Sequence, residues 1–157
     1  MAAVPIPNAF GNTIFCDDIR NEEGGKSTYV GIYHSVMYVP SPFPAVLPKF
    51  GMAISYIEKV GACSGPAKIN IFFPGDAEDV PTLSFDVPIE KARSGPLPPL
   101  DPDFPRDEPI WRAYMPLLLS PFVLKQRGII KVRALVGGDV IKLGALRVDH
   151  TPSDNSP

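Results

Sequence analysis

The sequence predicts an all-β protein, an antiparallel two-sheet β-sandwich of immunoglobulin-like or C2-like type, with about eight strands joined by proline-rich loops. Three observations carry that expectation. Twenty prolines and 13 glycines cut the chain into short extended pieces, because proline fixes φ, removes a backbone donor and ends helices. Apolar residues recur with period two, the spacing of a half-buried strand. Turn residues stand between the alternating runs: Gly24-Gly25, Pro74-Gly75-Asp76 and Gly137-Gly138. No amphipathic helix and no alternation of strands with helices is visible, and the long proline-bearing connections favour a sandwich over a closed barrel.

The first element is a hairpin, with arms Thr13 to Ile19 and Ser27 to Tyr33 around a polar tip ending in Gly24-Gly25. Leu47 to Glu58 follows the proline run Pro40, Pro42, Pro44 and Pro48. It places Phe50, Met52, Ile54 and Tyr56 on one face and small Gly51, Ala53 and Ser55 on the other, which is the pattern of a strand. Ile69, Ile71 and Phe73 then alternate with Lys68, Asn70 and Phe72. After an acidic turn, Leu83, Phe85, Val87 and Ile89 alternate with Thr82, Ser84, Asp86 and Pro88, forming a second hairpin. Ile110 to Lys125 is apolar and extended, and Pro116 and Pro121 are expected to split it into two short strands or a strand and an edge. Gly128 to Val136 and Asp139 to Val148, joined at Gly137-Gly138, form the strongest hairpin signal, with Gly144 marking a bulge.

At 157 residues the chain has the length of one domain, assigned to residues 1–148. The stretch from Ser94 to Pro109, with six prolines, reads as a stiff surface loop, and residues 149–157 have the composition of a disordered tail. A formal net charge of −2 offers no basis for nucleic acid or an anionic membrane as partner. The first residues lack a signal-peptide pattern and no apolar run reaches about 18 residues, so the sequence reads as soluble and cytoplasmic. Cys16 and Cys63 cannot form a disulfide framework and read as reduced thiols.

Candidate chemistry is sparse. His34 and His150 are the two histidines; a Cys16/His34 dyad lacks an orienting third group, and no Gly-x-Ser-x-Gly elbow is present. No catalytic residue is assigned. Hard cations want several oxygen ligands, and Asp76, Glu78, Asp79, Asp101 and Asp103 are the residues that could supply them to calcium, although Arg106 stands where a calcium loop of the EF-hand type needs glycine. Without such a site, no cofactor is expected. Strand alternation places Thr13, Phe15, Asp17 and Ile19 on one side and Ile14, Cys16, Asp18 and Arg20 on the other. One aspartate therefore lies beside an apolar row and needs a partner, with Arg20, Lys26 and the tip amides as candidates. Phe43, Phe104, Trp111 and Tyr114 lie in or beside proline-rich stretches, where aromatics suit protein or carbohydrate contacts.

Phe15-Cys16-Asp17-Asp18-Ile19-Arg20, then Gly25-Lys26 and Val30-Gly31-Ile32-Tyr33, resemble the N-terminal signature of an uncharacterised bacterial family of short single-domain proteins, known only as a domain of unknown function. The resemblance runs on through Leu47-Pro48-Lys49 to Gly144-Ala145-Leu146-Arg147-Val148. It implies a bacterial, cytoplasmic protein and brings no activity, ligand or catalytic residue with it.

The function expected is that of a non-enzymatic binding or assembly module, meeting a protein partner or a second copy through an edge strand, with Asp17, Asp18, Arg20, Lys26, Phe104 and Trp111 as candidate contact residues. A calcium- or carbohydrate-binding module is the alternative, and a carboxylate-dependent enzyme the third reading.

Overall fold

The computed structural model describes residues 7–40, 42–95 and 109–152 and consists almost entirely of strands. In chain order these are β1 (Ala9–Cys16), β2 (Asp18–Glu22), β3 (Lys26–Val30), β4 (Val36–Val39), β5 (Ala45–Leu47), β6 (Phe50–Lys59), β7 (Ala67–Phe72), β8 (Leu83–Asp86), the short helix α1 (Ile89–Arg93), β9 (Ile110–Leu119), β10 (Phe122–Leu124), β11 (Gly128–Val136) and β12 (Asp139–His150). β1, β6 and β9 form one antiparallel sheet. The second has the order β4-β12-β11-β7-β8, antiparallel except for β4 beside β12. Two small pairs, β2 with β3 and β5 with β10, complete the fold. The all-β sandwich is therefore as expected, with 12 strands in place of about eight. Short β4, β5 and β10 have too few residues to show a period, and the first arm of the N-terminal hairpin divides into β1 and β2.

β6 organises the molecule. It pairs with β1 along one side and β9 along the other, which satisfies its backbone groups in both ladders. Phe50, Met52, Ile54 and Tyr56 are fully buried between the sheets, in one cluster with Ile69, Ile71, Ile130, Val132 and Leu146 from the opposite sheet. The outward row is buried too, because the β2–β3 hairpin folds back over it. Cys16 and Ile19 both close on Gly51, where a side chain's first carbon would come within 2.9 Å of Cys16 Sγ and 3.0 Å of Ile19 Cγ1. Farther along, Arg112 Nη2 on β9 donates to Ser55 Oγ at 3.0 Å, and the hydroxyls of Tyr29 and Tyr114 meet at 2.8 Å.

That fold-back depends on a bulge. The Asp17 amide donates to both the Val30 and Gly31 carbonyls, at 2.9 and 3.2 Å, so Asp17 falls between β1 and β2 and shifts the alternation by one residue. Uninterrupted alternation put Ile19 with Phe15; the bulge instead sends it to the side of Cys16, against Gly51. In the second sheet, Gly137 and Gly138 take φ of 55° and 91°, the left-handed conformation that a tight turn between β11 and β12 requires. The register shifts between Val132 and Arg133, leaving a bulge in β12 beside Gly144, as expected.

Three boundaries differ from expectation, the first being that of β8, which ends at Asp86 and leaves Ile89 to open α1 in place of continuing the strand. Pro116 does not split the strand: β9 runs through it, paired with Ala53, because β9 is an edge of its sheet and the missing N–H faces away from β6. The chain does break at Pro121 before β10. The domain does not stop at residue 148, since Asp149 and His150 belong to β12, paired with Tyr38 and Val39 of β4, and the His150 ring lies 4.6 Å from that of Phe43. Residues 153–157 lie outside the described residues.

One charged pair is buried at the far end of β6. Glu58, 1% exposed, receives Nε and Nη2 of Arg93 at 2.6 and 2.9 Å and the Tyr56 hydroxyl at 2.8 Å, and Arg93 also donates to the Gly65 carbonyl. Burial, reinforced by donation to Glu58, pushes the Tyr56 phenol far above its ordinary value. This fork ties α1 and the turn after β6 to the sandwich. Glu58→Ala is expected to lower stability by about 3 kcal/mol, and Glu58→Ala/Arg93→Ala by less than the sum of the single changes, in denaturant melts. Gly51→Val is expected to cost about 2 kcal/mol, a fall of roughly 6 °C in Tm, and to make the Glu23 to Gly25 tip cleavable in limited proteolysis.

Candidate binding groove

The two outer faces of the sandwich are treated differently. The β1-β6-β9 face lies under the β2–β3 hairpin, whereas the outward face of the five-stranded sheet is open. Along β11 the outward residues are Ile129, Lys131, Arg133 and Leu135; Phe72, Asn70 and Lys68 of β7 flank them on one side and Val140 and Lys142 of β12 on the other. Ile129, Leu135 and Val140 keep 47%, 36% and 64% of their surface exposed. Between them runs a groove of about 650 Å³, walled at one end by the Pro74 to Asp79 loop and by Gln126 to Gly128.

Asp76 builds that wall. Its Oδ2 accepts the Phe73 amide at 2.8 Å and the Thr82 amide at 3.0 Å, and its Oδ1 accepts the Thr82 hydroxyl at 2.8 Å, closing the β7–β8 loop on itself. Partial burial opposes ionisation, but the Phe73 and Thr82 donors outweigh it and hold the carboxyl below its ordinary value of 3.8. The floor carries positive charge. Arg133 Nη1 donates to the Val132 and Gly144 carbonyls at 2.9 and 3.0 Å, so the bulge in β12 supplies an acceptor that fixes the guanidinium. Partial burial lowers its pKa, yet arginine remains charged at any physiological pH. Lys68 pairs with Asp86 at 3.8 Å and Arg147 with Asp149; no described carboxylate lies within ion-pair distance of Lys131, Arg133 or Lys142.

Of the residues expected to form a site, Asp17, Asp18, Arg20 and Lys26 lie in or at the base of the N-terminal hairpin, away from the groove. Asp18 receives Lys49 Nζ at 3.1 Å, Arg20 Nε at 3.5 Å and the Ile19 amide at 3.1 Å, and the Lys49 bond chiefly holds its carboxyl below the ordinary value. Asp17 accepts the Tyr33 hydroxyl. The Asp-Asp pair thus anchors the hairpin, with Lys49 in place of the expected Lys26, which sits across from Glu22 near the hairpin tip. Trp111 is not a surface aromatic: it lies opposite Glu58 in the β6–β9 ladder and packs half-buried against the core. Phe104, Asp101 and Asp103 lie outside the described residues. Glu78 and Asp79 are exposed at the groove wall, and among the described residues no three His, Cys, Asp or Glu side chains gather as a metal site.

Cys16 is wholly buried and burial pushes its thiol up, opposite to the exposed, lowered-pKa setting of reactive thiols; His34 is exposed in the loop before β4. Both cysteines are free. The groove itself was missed by sequence reasoning. The alternation that put Lys131 and Arg133 on one face of β11 was its only visible signal, because the contribution of Val140 depends on pairing with β12.

Asp76→Ala is expected to destabilise the protein by about 2 kcal/mol at pH 7. A carboxyl with a folded pKa below its unfolded value stabilises above the unfolded value and loses that contribution as pH falls through the folded one. The difference in melting temperature between Asp76→Ala and the parent should therefore close below about pH 4. Comparison of the chain with protein-family models, with curated proteins and with solved structures gives no match.

Proposed function

We propose that the protein is a non-enzymatic binding module that acts through protein–protein contacts, with the open face of the five-stranded sheet as its docking surface. The observation that carries this reading is the asymmetry of the sandwich. The chain's own hairpin covers the central strand of one outer face, leaving Tyr114 and Leu118 of β9 part-exposed at its margin, while the other face has no such cover and leaves Ile129, Leu135 and Val140 exposed around a groove. Exposed apolar residues set among polar ones around a groove are a feature of interaction sites.

The face is a better docking surface than the edges. Edge strands β4 and β8 have four residues each and β9 carries Pro116 at mid-length, features that blunt strand addition, and the remaining edge of the three-stranded sheet, β1, packs through Thr13 and Phe15 against Gly144 of β12. The cytoplasm is the proposed compartment, supported by two free thiols in a fold that does not use them as a bridge. No helix is long and apolar enough to cross a membrane among the described residues.

Ile129→Asp/Leu135→Asp places two charges in the groove at positions already facing water, so the melting temperature should stay within about 2 °C of the parent. Parallel affinity capture with parent and variant, followed by titration calorimetry on each purified candidate, tests the role of the face. At least one partner should bind the parent directly and lose about 100-fold in affinity for the variant. Partners that bind both proteins equally, or a dimer in light scattering that the variant leaves intact, would sink the reading.

A further inference from the structure

The exposed apolar residues of the groove are not contiguous. Lys131 and Arg133 separate Ile129 from Leu135 along β11, and Lys142 stands opposite Arg133 at the bulge. The whole chain carries a formal charge of −2, so this positive charge is a property of one face and not of the protein. Asp86 and Asp149 neutralise Lys68 and Arg147 at the margins of the face, while the three central cations have no such partner. A strand-like peptide also presents side chains with period two. The run from Ile129 to Leu135 is about 20 Å long, the reach of about seven extended residues.

We infer that the groove takes an extended acidic peptide segment, its carboxylates over Lys131, Arg133 and Lys142 and its intervening apolar side chains on Ile129, Leu135 and Val140. This rests on the docking-face reading above and names the chemistry of the partner. Arg133 is suited to the role because two carbonyls already hold its Nη1, so little side-chain freedom is lost on binding and the rest of the fork faces a carboxylate. Lys131 and Arg133 line the groove and Lys142 stands beside it across from Arg133; Glu78 and Asp79 at the walled end repel acid, so the acidic positions of the partner are confined to the stretch over these three cations. A nucleic acid fits less well. Phe72 is the one aromatic among the outward residues of β7 and β11, and single strands are held by successive stacking aromatics.

The test is selection from a displayed library of random decapeptides on the 157-residue chain, followed by anisotropy with the enriched sequence as a synthetic peptide. Expected are peptides with Asp or Glu alternating with Leu, Ile or Val. Their affinity should fall at least about tenfold in Lys131→Gln/Lys142→Gln and about tenfold again between about 50 and 500 mM salt. Arg133→Gln should act in the same direction, but the side chains of Lys131 and Lys142 make no hydrogen bond or ion pair among the described residues, so the double variant separates binding from folding. Enrichment of apolar peptides without acids, binding that double variant as tightly as the parent, would overturn this inference and leave the docking face standing. If no selected peptide is lost on Ile129→Asp/Leu135→Asp, both readings fall. Tighter binding of a 12-residue oligothymidylate than of any selected peptide would assign the groove to single-stranded nucleic acid instead.

Discussion

A strand buried on both faces is the constraint that the rest of this fold answers. From Phe50 to Tyr56 β6 is buried on both faces, so it needs a ladder on each side, a large-residue row toward the opposite sheet and a small-residue row on the back. Gly51, Ala53 and Ser55 provide that back row. They let the β2–β3 hairpin lie against the sheet, and in doing so they cover the middle of an outer face that another sandwich would expose to a partner. The open side of the molecule is the opposite sheet as a result, and the placement of the groove follows from the composition of one strand.

Charge is spent in two ways. Glu58 with Arg93, Asp18 with Lys49 and Asp76 with its own loop are committed to joining segments that packing alone would leave loose: a short helix, a hairpin and a long turn. These carboxylates all have donors in place. Lys131, half-buried, and Lys142, exposed, by contrast make no ion pair and no side-chain hydrogen bond among the described residues. The difference between tethered carboxylates and untethered cations is the electrostatic basis for treating the open face, and not the acidic loops, as the place where another molecule is met.

The strands legible in the sequence were those with one wet face. β7, β8, β11 and β12 show clean alternation because water enforces it on one side, and the glycine pairs located two of the turns. β6 was readable as a strand through its aromatic and β-branched row, although nothing local shows that its back is covered. β4, β5 and β10 were missed because three or four residues among prolines carry no period, and β12 was ended early because its last two residues are ordered by β4, more than a hundred positions away. Glu58 finds Arg93 across 35 residues, a pairing no local pattern reports. Asp76 was legible in principle: a short carboxylate just after Pro-Gly commonly hydrogen-bonds nearby backbone, and that local bonding competes with any role as a cation ligand.

The bulge at Asp17 has a consequence for length. Because one unpaired residue decides whether Ile19 meets Gly51 or points into solvent, the spacer between Cys16 and Ile19 works as a parity switch. Removing or adding one residue there would expose Cys16 and turn the apolar side of the hairpin outward, while a change of two would restore the face at the cost of the loop. The tip at Glu23 to Gly25 lies beyond this switch and touches little of the core. The hairpin should therefore tolerate change at Glu23 more readily than at Gly24 and Gly25, whose φ of 73° and 71° favours glycine, and least of all in the count of residues near its base.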